Sequence, residues 1–139
     1  MGIIPYLCGM LYLKTPTSDL SVRQIRSIVC ETIRWCETNL GTKSYKVGYS
    51  VRTLGVKSVP AYGRYDSTIR TIMVYRNYSP TVKCVVRAVL HEYTHYLQNL
   101  RWYNHTLSKV GYNKHPQERE ARAMEDLYSQ CWGEIKVKL

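Results

Sequence analysis

His91-Glu92-Tyr93-Thr94-His95 is the stretch on which the reading of this 139-residue chain turns. It fits the pattern H-E-x-x-H, and the spacing has a mechanical reason. Residues four apart on an α-helix lie about 40° apart in azimuth and one turn apart in height, so both imidazoles point the same way. Two imidazole nitrogens at that separation can fill two corners of a tetrahedral Zn²⁺ site. Glu92, about 100° round from His91, does not join them easily but can reach a metal-bound water as general base.

The surrounding sequence predicts a long helix. Ser79 suits its N-cap and Pro80 its first position, where the missing N–H costs nothing. Val82, Val86, Val89, Tyr93, Leu97 and Leu100 make one apolar stripe. Arg87, Thr94, Gln98 and Arg101 make a polar stripe, with His91 and His95 on the border between the two. That border is where a metal site open to a cleft belongs. The helix is expected to fade after Tyr103, with residues 104–115 a loop containing Gly111.

A third helix is then expected over residues 116–128, started by Pro116. Two imidazoles do not complete a catalytic zinc site, and a third protein ligand is required. The downstream candidates are His105, His115, Glu118, Glu120, Glu125 and Asp126. Glu118 shares a helical face with Ala121, Glu125, Tyr128 and Trp132, whereas Glu120 points about 200° away, toward water. Glu118 also lies in the first turn, where the helix dipole favours a carboxylate. Glu125 is the first alternative.

Upstream, residues 18–40 predict an amphipathic helix with Val22, Ile25, Val29, Ile33, Cys36 and Leu40 on one face and Arg26 at its edge. Thr17 or Ser18 suits its cap, and Gly41 its end. Tyr45, Val47, Tyr49 and Val51 alternate with polar or small residues, the pattern of a half-buried strand. Residues 59–62 are a second candidate strand, demoted by Pro60. Residues 63–67 read as a turn, and residues 69–76 as a strand. That last strand, just ahead of the metal helix, is either the last core strand or an edge able to hold an extended peptide by main-chain hydrogen bonds.

The whole, residues 1–139, reads as a single α+β domain, large enough for one core. Twenty Lys plus Arg against ten Asp plus Glu give a net charge of +10, spread from Lys14 to Lys138 without a run of five. Weak, salt-sensitive binding to polyanions, nucleic acid included, is expected of such a surface. Five cysteines, Cys8, Cys30, Cys36, Cys84 and Cys131, include no C-x-x-C pair, which fits reduced thiols and a cytoplasmic setting. Residues 3–13 are apolar but too short to span a bilayer and lack a basic leader, so they predict a buried arm or first strand, with no membrane partner. Tyr6 stands where a myristoylation signal requires Ser or Thr. Without a secretory signal, the glycosylation sequons at Asn77 and Asn104 are accidental.

The motif, followed by Pro116-x-Glu118-x-x-Ala121, resembles the gluzincin zinc metallopeptidases, above all the minigluzincins. The resemblance covers residues 69–128. It implies a zincin-like layout: an N-terminal helix, a small sheet, an active-site helix and a C-terminal ligand helix. It also implies one Zn²⁺ held by His91, His95 and Glu118, and endopeptidase action on a peptide or protein substrate. Thermolysin-type members carry a supporting Asp four residues after the ligand Glu, where this chain has Arg122. The metzincin pattern fails, since Gln98 and Arg101 stand where Gly and His are required.

In the mechanism this implies, Glu92 takes the proton of the attacking water and returns it to the leaving amine. Tyr103, Tyr112 and His105 are the candidates for stabilising the oxyanion. An SprT-like protease acting on DNA-associated proteins, with His105 as the third ligand, is an alternative that the positive charge suits. A non-catalytic metal-binding structural or nucleic-acid-associated protein is another.

Overall fold

The computed structural model describes residues 11–55, 61–98 and 103–139. The chain is an α+β fold of helices on a small three-stranded sheet. Its main elements are α1 (Val22–Leu40), β1 (Gly48–Arg52), β2 (Gly63–Asp66), β3 (Thr71–Tyr75), α2 (Val82–Leu97), α3 (Tyr103–Val110), α4 (Pro116–Met124) and α5 (Tyr128–Ile135). The strand order is β1-β3-β2, with β1 parallel and β2 antiparallel to β3.

The central strand accounts for the sheet. Ile72, Met73, Val74 and Tyr75 are all buried, as a strand covered on both faces requires. β3 is therefore the core strand of the two possibilities, and the edge nearest α2 is β2. The residues expected to form a turn, 63–67, mostly form that edge. The reversal lies at residues 67–70, where Arg70 takes a positive φ of 52° and its guanidinium covers the Tyr45 ring at 3.9 Å. Of the second candidate strand, residues 59–60 lie outside the described residues; Tyr62 continues the β2 pairing by accepting a hydrogen bond from the Tyr75 amide (2.9 Å).

Both long helices start later than expected, for one reason. Ser21 and Gln24 form a reciprocal capping box on α1, which fixes its start at Val22 and leaves Thr17–Asp19 as a separate 3-10 turn. Thr81, not Ser79, caps α2 by accepting from the Cys84 amide. The next free donors of α2 are met by an extended N-terminal segment. The amides of Val82 and Lys83 donate to the carbonyls of Thr15 (3.0 Å) and Leu13 (2.9 Å), antiparallel to the helix start. This segment, with Leu11 buried, is the described end of the expected N-terminal arm, and it joins no strand of the sheet. Residues 3–10, with Cys8, lie outside the described residues.

α1 packs on α2, β1 and α5, and α2 packs in addition on β2, β3 and α4. Ile25, Ile28, Val29, Val82, Val85, Val86, Val89, Leu90 and Tyr93 form the centre of the core, each fully buried. Each such aliphatic side chain contributes about 1.5–3 kcal/mol relative to exposure. Thr94, expected on a polar stripe, is buried instead because its hydroxyl donates to the Leu90 carbonyl one turn back (2.8 Å). Residues 104–110, expected as loop, belong to α3. The four described cysteines, Cys30, Cys36, Cys84 and Cys131, are free. No described helix is long and apolar enough to cross a membrane.

Gly63 is where β2 comes closest to its neighbours. A Cβ there would lie 2.7 Å from the Met73 carbonyl oxygen and 3.6 Å from Cγ of Glu92. Gly63→Ala is expected to lower stability by about 1–3 kcal/mol, because backbone must move to admit the methyl. Denaturant midpoints of the two proteins check this.

Candidate metal centre

α2 carries His91 and His95 one turn apart, and α4 crosses them with Glu118 in its first turn. Glu118 Oε1 stands 3.0 Å from Nε2 of His91 and 3.1 Å from Nε2 of His95. The three potential ligand atoms lie within 4.8 Å of one another. Ligand atoms about 2.0–2.1 Å from a tetrahedral metal are about 3.3 Å apart, close to the two separations found here. The group could hold a metal ion, one turn of α2 and one of α4 supplying all three protein ligands.

The remaining ring nitrogens are committed elsewhere. Nδ1 of His91 donates to Glu125 Oε2 at 2.8 Å, and Nδ1 of His95 donates to Gln98 Oε1 at 2.8 Å. Both bonds orient the rings and direct the two Nε2 atoms toward Glu118. Glu125 is itself gripped by Arg87, whose Nε and Nη2 lie 3.2 and 3.1 Å from Oε1. The supporting carboxylate absent at Arg122 is thus supplied three residues later, where the helix tightens into the 3-10 turn Glu125–Leu127. Gln98 donates to the Gln117 carbonyl and to Glu120 Oε1 (both 2.9 Å), fastening the end of α2 to α4.

Glu92 is nearly buried, and its Oε1 accepts from the Tyr65 amide at 2.8 Å. Tyr65 lies on the edge strand β2, so the strand itself sets the carboxylate. The other oxygen, Oε2, is 3.9 Å from Nε2 of His91. Tyr103 donates to Glu118 Oε2, and its ring stacks on His115 at 4.2 Å. A cavity of about 450 Å³ opens over the group, walled by Gly63, Arg64, Tyr65, Tyr103, Asn104 and Tyr112.

The protein groups perturb one another strongly. Burial pulls the His91 pKa down, but the carboxylates of Glu118 and Glu125 outweigh it and push it up to about 10. Burial likewise opposes, and Glu118 more than restores, a raised pKa at His95. Burial works against the Glu118 charge, yet hydrogen bonds from His91, His95 and Tyr103 hold its carboxyl well below the usual range. Glu92 is pushed up by burial against the pull of both histidines and the Tyr65 amide. Tyr103 and Tyr112 are raised by burial and by the Glu118 carboxylate.

The structure brings together His91, His95, Glu118, Glu92, Tyr103 and Tyr112. His105 is left out: it is exposed on α3, because residues 103–110 coil into a helix that turns it away. Among the other ligand candidates, Glu120 is exposed and Glu125 supports His91. His115 is buried as the cap of α4, accepting from the Gln117 amide (3.1 Å) and donating to the Tyr103 carbonyl (2.9 Å). Glu125 and Gln98 are the supporting residues that motif reading missed as such; Glu125 already lay on the inward face with Glu118, and Gln98 lies three residues beyond His95.

No known protein family, characterised protein or solved structure matches the chain. The geometry is tested directly by metal content. Glu125→Ala is expected to weaken divalent-metal affinity about 10–100-fold, the usual effect of losing a partner that orients a ligand. Glu118→Ala should cost more than that, while His105→Ala and Glu120→Ala stay within about threefold of the parent. Competition titration against a chromophoric chelator gives all four values.

Proposed function

We propose that this chain is a zinc-dependent endopeptidase of gluzincin type, with His91, His95 and Glu118 as metal ligands and Glu92 as general base. The observation that carries the reading is the tether between Glu92 Oε1 and the Tyr65 amide (2.8 Å). It joins an ionisable side chain beside the ligand group to a strand edge that can pair with an extended peptide. A metal group alone serves storage or structure equally well; a base fixed between it and a peptide-binding edge favours hydrolysis.

The donor set of two imidazoles and one carboxylate is that of catalytic zinc sites, which keep a fourth position for water or substrate. Zinc, when bound there, supplies Lewis acidity that brings the pKa of a water toward neutrality and polarises a carbonyl. The chain's own groups do the rest. The Gly63–Asp66 edge aligns the substrate backbone along the cavity. Glu92 Oε2, the untethered oxygen, accepts the proton of the attacking water and later delivers it to the departing amine. Tyr103 lines the cavity with its hydroxyl given to Glu118, and Tyr112, on the same wall, offers its hydroxyl to the charge that develops on the carbonyl oxygen.

Glu92→Gln should retain metal and fold, yet lower peptide hydrolysis by at least about 10²–10⁴-fold, because an amide cannot accept the proton. The measurement is turnover of a mixed peptide library by parent and variant at equal metal content. Equal turnover removes Glu92 from the mechanism; metal without any cleavage by the parent favours a structural metal site.

A further inference from the structure

We propose that the concave face between α1, β1 and the C-terminal 3-10 turn (Lys136–Lys138) is a binding groove for single-stranded nucleic acid. It lies at the β1 edge of the sheet, whereas the metal group lies at the β2 edge, and the two share no residue.

The groove encloses about 310 Å³, and Arg23, Arg26, Arg34 and Lys138 all line it. The one acidic side chain of its described wall, Glu31, is taken up by Arg34 at 2.7 Å. Arg23 and Arg26 stand on successive turns of α1, both exposed, with Arg34 two turns further on. From Arg23 to Arg34 the helix rises about 16 Å, enough to follow several nucleotides of backbone. Three cations with no acidic partner inside the groove, Arg23, Arg26 and Lys138, therefore line one concave face.

Tyr49 gives the groove its second property. Strand alternation would put it in the core with Val47 and Val51, which pack there; instead it is 39% exposed and lines the groove. Cys30 and Ser27 of α1 line the groove with it. An accessible aromatic ring among arginines is what stacking of an unpaired base requires. A duplex keeps its base faces covered, and a flat bilayer cannot enter a concave wall. Single strands, with flexible backbones and free bases, satisfy both features at once.

The test is fluorescence anisotropy with a labelled twelve-residue oligothymidylate, the same sequence in duplex form, and phosphatidylserine vesicles as competitor. Three phosphate contacts to a single strand, from Arg23, Arg26 and Lys138, predict a salt slope of about −2.1, so affinity should fall about twentyfold between 50 and 200 mM salt. Arg26→Glu with Lys138→Glu should weaken binding at least tenfold and flatten the slope by about 1.4. Lys109→Glu with Lys114→Glu makes the same change in net charge elsewhere and should cost at most threefold. Tyr49→Leu should weaken binding about fivefold or more, and Tyr49→Trp should not. All substituted cations are exposed, and Arg23→Glu with Arg26→Glu serves as a second pair should the first fail to fold. Equal losses in the groove and control pairs, no oligonucleotide binding by the parent, a preference for duplex, or displacement by vesicles at lower concentration overturns the proposal. None of these readings depends on zinc or on peptide cleavage.

Discussion

A carboxylate buried between two imidazoles governs this structure. Glu118 is only 4% exposed, and on the inward face of a helix such a group is costly unless it is paired. Its oxygens meet His91, His95 and Tyr103, and these contacts dictate where α4 crosses α2. The loop before α4 has to return so that Pro116 starts the helix in the right azimuth. Tyr103 must sit at the beginning of α3, and His115 packs beneath it to hold it there. Three helices are thus positioned by one charge and its donors.

The second tier of contacts explains why this arrangement is single-valued. Each imidazole is oriented from behind, one by Glu125 and one by Gln98, and each orienting group has its own anchor, Arg87 or α4. Rings fixed at both nitrogens leave little freedom for misalignment, which suits a group that could hold a metal ion. The edge strand contributes in the same sense from the opposite side, since the backbone of Tyr65 rather than a mobile side chain sets Glu92.

Much of this was legible in the sequence, because helical periodicity encodes azimuth. The i, i+4 histidines and the inward face of Glu118 follow from geometry once Pro116 fixes a helix start. The errors fall where local propensity was overruled. Ser79-Pro80 looks like a helix start, but the amides it would cap are shifted to Val82 and Lys83 and satisfied by a segment nearly 70 residues earlier. Residues 63–66 carry Gly, Arg and Asp and read as a turn; pairing with a strand buried on both faces makes them a strand regardless. Thr94 looks polar until its hydroxyl finds the preceding turn. Tertiary hydrogen bonds of this kind have no signature in a single sequence.

The two histidines differ in when they can acquire their supports. His95 takes its partner, Gln98, from the cap of its own helix, so its ring can be set as soon as α2 forms. His91 takes Glu125, and both take Glu118, from segments made later as the chain is synthesised from its N-terminus. The nascent chain therefore exposes a half-built pair of imidazoles on a finished helix, and closure awaits the docking of α4. An ion bound by the completed group would also hold α4 against α2, which would couple metal uptake to the last folding step.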